Sequence, residues 1–162
     1  MTTNPSKLAK LLPLVLLSVA AFGLNNLFQI PEWYDELQAK AWTLNFQQVD
    51  VAEVTLYALT SVAFWLIWKD RSLSEITWTA FAYFFVILFA SIWSLLFFGM
   101  QSPLAAFIDM IAVTGAIVVA MLQFFKYDRT AGYIMLPCLV GALFFAVNNF
   151  HLYQVYLEIT SA

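Results

Sequence analysis

Apolar positions along the chain collect into five long blocks separated by short polar breaks. The blocks run from about Leu8 to Phe28, Val49 to Trp68, Ile76 to Phe98, Pro103 to Phe125 and Thr130 to Tyr156. Each is roughly 20 residues or longer, the length that carries an α-helix across a ~30 Å hydrocarbon core. Runs such as FAYFFVILFASIWSLLFF do not alternate as the strands of a membrane barrel must. The pattern therefore predicts an all-α membrane protein, a bundle of five transmembrane helices. The breaks carry their own signals. Pro31 stops the first block, the charged turn KDRS closes the second, and Gly99 ends the third. Ser102-Pro103 is a cap followed by proline at the first helical position. Pro137 falls inside the fifth block and is expected to kink it, which a membrane bundle tolerates. No sequence period and no low-complexity linker divides the chain, so residues 1–162 read as one domain.

Composition agrees with this reading and removes several function classes. Hydrophobic residues make up 63% of the chain and charged residues only 10%, against about 25% charged in soluble domains. The net charge of −3 comes without any basic run, so nucleic acid is not an expected partner. Cys138 is the only cysteine and His151 the only histidine, which excludes an intrachain disulfide, a thiolate metal site and a multi-histidine metal centre. No nucleophile motif or glycine-rich phosphate loop is present, so neither catalysis nor a required cofactor is expected.

Lysine and arginine placement sets the expected orientation. Lys7 and Lys10 precede the first span, Lys69 and Arg71 follow the second, and Lys126 and Arg129 follow the fourth. With five spans these all fall on one face, and the opposite face has only Lys40. The N-terminus is then cytoplasmic, with the C-terminus and the first loop external. Lys7, Lys10 and Ser18-Val19-Ala20 also resemble a cleaved signal peptide, but the apolar run continues to Ile30 and is long enough to span.

The first loop, PEWYDELQAKAW, is unusual for a membrane connector. Pro31 suits the first turn of a helix, Trp33 and Leu37 lie four apart on one face with Tyr34 beside them, and Glu32, Asp35, Glu36 and Lys40 fill the other. This is a short amphipathic helix, either an interfacial anchor or a cover for something beneath. Inside the spans, Glu53, Tyr57, Thr60 and Phe64 share one helical stripe. A carboxylate there faces a polar cavity or reaches the outer interface. Asp109 lies two turns inside the fourth span among Ala105, Ala112 and Ala116, where bonding to a neighbouring helix is expected. Asn25, Asn26, Asn148, Asn149 and His151 fall at the same depth as Glu53, either bonding one another or forming a polar rim. Ala90 and Ser94 make a small-xxx-small pair suited to dimerisation.

Several fragments in order resemble the translocator protein/tryptophan-rich sensory protein (TspO/MBR) family. They are the loop PEWYDELQAKAW, Tyr57 at its distance from Trp42, AFWLIW closing the second span, WSLLFFG at Trp93–Gly99, Asp109, and LPC at Leu136–Cys138 followed by Asn149. The resemblance implies a five-helix bundle, often dimeric, with a ligand cavity under a first-loop lid. It implies a binding or sensory protein for a planar hydrophobic molecule, porphyrin-like or sterol-like, with a bound tetrapyrrole as the candidate occupant and membrane lipid as its surroundings. Carried over residue by residue, the ligand-binding set is Trp33, Trp42, Glu53, Tyr57, Trp93, Phe97 and Asn149. The alternative is a small transporter of such a ligand or of an ion, though no inverted repeat supports it.

The chain also departs from the pattern. Leu44-Asn45 replace the family's proline pair, Glu53 a tryptophan, Val86 and Ala90 a Gln and an Asn, Cys138 a tyrosine, and Gly141 a tryptophan. Glu53 turns an aromatic wall into a polar, titratable one and would disfavour an anionic porphyrin. The orientation is checked by C-terminal reporter fusions: a periplasm-active reporter is expected to work and a cytoplasm-active one to fail, and the reverse would overturn the five-span topology.

Overall fold

The computed structural model describes residues 5–28, 32–44 and 46–161. Among these the chain is helical, without strands. A short α1 (Pro5–Ala9) leads into α2 (Leu11–Asn25), the loop carries α3 (Glu32–Lys40), and α4 spans Phe46–Trp68. Then follow α5 (Thr77–Ser94), α6 (Pro103–Phe125) and α7 (Arg129–Ser161). Five of these segments are long and apolar enough to cross a membrane: Lys7–Asn25, Gln47–Trp68, Thr77–Gly99, Pro103–Phe125 and Arg129–Ser161. Their boundaries lie close to the predicted blocks. Pro31 and Asn45 lie outside the described residues.

The five long helices close into a ring in which neighbours are α2, α4, α7, α6, α5 and again α2. α4 also touches α5 and α6 across the ring. The inward stripe of α6, Ala106, Met110, Val113, Ile117, Ala120 and Phe124, repeats at three- and four-residue steps, as one helical face must. Asp109 shares this buried face, whereas the alanines expected beside it, Ala105, Ala112 and Ala116, are only half-buried. Large residues such as Leu12, Leu16, Val19 and Val140 point outward. With lipid as the neighbour this costs nothing, because tails are as apolar as leucine.

Local chemistry sets the helix ends. Ser102 Oγ accepts from the Ala105 N–H at 3.3 Å, with Pro103 at the first helical position, and Asp128 Oδ1 accepts from the Ala131 N–H at 3.0 Å. At its C-terminal end α5 widens into a π-turn over Leu95–Gly99. Gln101 then takes a left-handed φ of 50° to turn the chain into the Ser102 cap. α7 continues through Pro137, which has no N–H to give to the preceding turn.

The basic groups gather at one end of the ring. Lys10 Nζ donates to the Trp68 and Arg71 carbonyls at 2.7 and 3.0 Å, supplying partners and positive charge where α4 ends. Lys7 pairs with Asp70 and holds that carboxyl below the usual carboxylate range, while Trp65 Nε1 donates to the Lys7 carbonyl at 2.9 Å. Arg71 lies over the Tyr127 ring, joining this turn to the one between α6 and α7. The three segments grouped by charge in the sequence are thus joined in space.

Of the glycines, Gly132 is the one packed most closely against a neighbouring side chain. A methyl there would meet the Phe125 ring, whose Cγ lies 2.5 Å from its position, whereas a methyl at Gly115 would have nothing within 4 Å. Gly132→Ala is expected to destabilise the purified protein by about 1–3 kcal/mol, the range for overpacking. Gly115→Ala is expected to leave thermal unfolding in detergent unchanged.

Candidate functional site

A cavity of about 220 Å³ lies between α4, α5, α6 and α7. α4 contributes Ala52, Glu53, Leu56 and Leu59, and α5 contributes Ala90 and Trp93. α6 adds Met110 and Val113, and α7 adds Cys138, Gly141, Ala142 and Phe145. Thr55 and Pro137 also line it and are exposed, so the cavity reaches the bundle surface in the seam between α4 and α7. The space has a simple origin. Ala90, Cys138, Gly141 and Ala142 are small, and a side chain added at Gly141 would meet nothing within 4 Å. Three of these, with Glu53, are positions where the chain departs from the tryptophan-rich pattern.

Glu53 stands on the cavity wall and is joined to a buried polar group behind it. Asn25 Nδ2 donates to Glu53 Oε1 at 3.0 Å, to the Tyr57 hydroxyl at 3.2 Å and to the Ala90 carbonyl at 3.0 Å. Asn25 itself is 6% exposed, and its Oδ1 has no hydrogen-bond partner. Asp109 is 5% exposed and its Oδ2 likewise lacks one, so the expected bond to a neighbouring helix is not formed at that oxygen.

Trp93 separates the cavity from a second, solid cluster. Its indole N–H donates to Asn149 Oδ1 at 2.9 Å and its ring stacks on Phe97 at 5.1 Å. Phe97 is fully buried and lies 5.6 Å from Trp33, which packs edge-on to Tyr156 at 5.8 Å. Loop helix α3 closes this cluster with the face predicted for it: Leu37 is 0% exposed and Tyr34 is buried, while Asp35, Glu36 and Lys40 face outward. Burial pushes the Tyr34 hydroxyl above the ordinary tyrosine range, against a smaller opposing effect of its hydrogen bond with Thr43. The Lys40–Glu36 ion pair at 3.0 Å runs along the outer face. The Glu32 side chain is outside the described set.

The seven residues picked out in the sequence therefore divide. Glu53 and Trp93 line the cavity, Asn149 holds Trp93, and Tyr57 shares Asn25 with Glu53. Trp33 and Phe97 belong to the aromatic cluster under α3. Trp42 is 60% exposed, with its ring edge on Phe144. What α7 holds is the Trp42 backbone, whose N–H donates to His151 Nε2 at 3.2 Å and whose carbonyl accepts from Asn148 Nδ2 at 3.0 Å. The terminal amides thus bond to Glu53, Trp93 and the loop, with no amide–amide pair between helices among the described contacts. Asn26 donates to the Phe22 carbonyl of its own helix. Ala90 and Ser94, expected on a dimer face, are buried inside the ring. Of the α7 wall, Ala142 and Phe145 were missed, and Cys138 and Gly141 were marked only as departures from the family pattern. Their only signal in the sequence was the loss of bulk at Cys138 and Gly141.

A family profile described as TspO/MBR family matches residues 11–154. A protein named tryptophan-rich protein TspO from Archaeoglobus fulgidus is 27% identical over 142 residues, covering 85% of this chain and 92% of that one. Its namesake from Chlorobaculum tepidum is 38% identical over 63 residues, covering 39% of this chain and 40% of that one. An uncharacterised membrane protein, YtaB, from Bacillus subtilis is 25% identical over 130 residues, covering 75% of this chain and 81% of that one.

The Asn148 and His151 contacts are what fasten the end of the first loop to α7. Replacing both with alanine is expected to speed tryptic cleavage after the exposed Lys40 by several-fold, with the transmembrane helix content unchanged by circular dichroism. An unchanged cleavage rate would mean that the packing of Tyr34 and Leu37 alone holds the loop.

Proposed function

The chain belongs to the TspO/MBR family of membrane tryptophan-rich sensory and binding proteins, and on that premise we propose that it is a multi-pass receptor for a flat hydrophobic molecule. The observation that carries this reading is the cavity between α4, α5, α6 and α7, with an indole, a phenyl ring and one carboxylate on its wall. Ligand pockets of this kind are mainly apolar with a few placed polar groups. A cavity of about 220 Å³ lies below the usual ~300–1,000 Å³ range for drug-sized ligands. A compact ring system fits whole, while a tetrapyrrole or sterol projects through the α4/α7 seam into lipid. Entry through that seam suits a ligand that partitions into the bilayer before it binds.

In this reading the loop helix is a fixed plug. α3 packs on Phe97 through its Trp33, Phe97 stacks on Trp93, and Trp93 lines the cavity. Occupancy that tilts Trp93 is felt at the loop through two ring contacts, a route from ligand to outer surface that suits a sensor. Trp33 and Phe97 then act on the ligand through Trp93.

Titration of the purified protein with pyrene and with a porphyrin, read by tryptophan fluorescence, tests the reading. Trp93→Ala is expected to weaken binding by about 3- to 10-fold through lost stacking, and Gly141→Leu to weaken it further by filling the cavity. Proteoliposomes are expected to bind ligand without moving it across the bilayer. Wild-type affinity in both variants would remove the cavity as the site, and protein-dependent flux would favour a transporter.

A further inference from the structure

Glu53 is the one charged side chain among the residues lining the cavity, and no protein cation faces it. The seven lysines and arginines all lie at helix ends or in connecting segments. Hydrogens are few around Glu53. Asn25 Nδ2 has two, shared among Glu53 Oε1, the Tyr57 oxygen and the Ala90 carbonyl, and the Tyr57 hydroxyl adds one of its own. Asn25 Oδ1, on the same amide, receives no donor although the residue is more than nine-tenths buried. Asp109, on the inward face of α6, is 5% exposed and its Oδ2 is also without a donor. A carboxylate inside a membrane bundle is costly unless paired. The complement of an apolar wall whose one charge is a carboxylate, backed by an amide that must share its hydrogens, is a group that brings hydrogens and positive charge.

We infer that the cavity is built for a small hydrophobic amine, whose ammonium lies against Glu53 and whose ring system fills the apolar space toward Trp93 and Phe145. This rests on the ligand-binding reading above and names the ligand's chemical class. Size supports it: an apolar cavity of ~150 Å³ takes a benzene molecule, so about 220 Å³ takes one ring with a short aminoalkyl arm. An anionic ligand of the same shape meets Glu53 unscreened and is excluded.

Three probes of one shape separate the possibilities: 2-phenylethylamine, its neutral isostere propylbenzene, and anionic 3-phenylpropanoate. Each is added at neutral pH to the purified protein. Thermal unfolding is one readout. The other is the rate at which a small thiol reagent modifies Cys138, which is the only cysteine and lines the cavity. The amine is expected to raise the unfolding temperature and protect Cys138 at ~10-fold lower concentration than propylbenzene, the effect of one charge-assisted hydrogen bond. The anion is expected to do neither. Glu53→Gln keeps the shape and an oxygen for Asn25 to bond, so it is expected to fold and to bring the amine down to the potency that propylbenzene shows on the same variant. Equal potency of amine and propylbenzene, or an amine advantage that persists in Glu53→Gln, would overturn the inference and leave the cavity as a site for neutral ligands. If propylbenzene too fails on both readouts, the ligand-binding reading falls with it.

Discussion

One amide organises the polar interior of this bundle. Asn25, at the last turn of α2, reaches α4 through Glu53 and Tyr57 and α5 through the Ala90 carbonyl. In water each of these bonds is worth little, because the unfolded groups find solvent. Within the bilayer the alternative is an unpaired polar group in hydrocarbon, so the bonds keep their partners together even at the modest ~0.6 kcal/mol average measured for interhelical pairs. The consequence is geometric. Asn25 holds Glu53 in one orientation on the cavity wall and fixes α2 against the two helices beside it.

The second organising contact is the hydrogen bond from Trp93 to Asn149, which joins α5 to α7 from opposite sides of α6 in the ring. It orients the indole so that one region of the ring faces empty space and another stacks on Phe97. The same residue therefore divides the interior into a hollow half and a filled half. The hollow half exists because α7 presents Cys138, Gly141 and Ala142, where larger side chains would close it. The filled half exists because Trp33, Tyr34 and Leu37 of the loop helix pack solidly in one cluster with Phe97. Trp93 borders both the cavity and the cluster beneath the loop.

Such a division gives the departures from the family pattern a common meaning. Loss of aromatic bulk at Cys138 and Gly141 leaves room, loss of an amide at Ala90 removes a donor, and Glu53 adds an acceptor. All four positions line the same cavity, from α4, α5 and α7. The aromatic cluster, where the chain keeps the family's loop residues, carries no comparable changes. The cavity lining and the loop anchor reside in different parts of the bundle.

Much of the architecture was legible from the sequence, because a bilayer leaves few choices. Unbroken apolar blocks of spanning length must be helices, and Ser102-Pro103 marks a helix start in any context. The alternation of Tyr34 and Leu37 with Asp35, Glu36 and Lys40 assigns the faces of the loop helix. The depth of Glu53, Asn25 and Asn149 also followed from their positions along the spans. Partnership did not. Residues at one depth can turn toward lipid, a neighbour or a cavity, and the hydrophobic pattern of a lipid-surrounded helix barely distinguishes these directions, since both sides are apolar. That is why Trp42, whose spacing fits a motif, has an exposed ring, and why Ala90 and Ser94 face inward instead of toward a second copy. The order of helices around the ring decided which side chains meet, and a cavity is made by what is missing between them. Glycine and alanine in a sequence do not say whether a neighbour fills the space they leave, and here only the packing of α4, α5, α6 and α7 determined that none does.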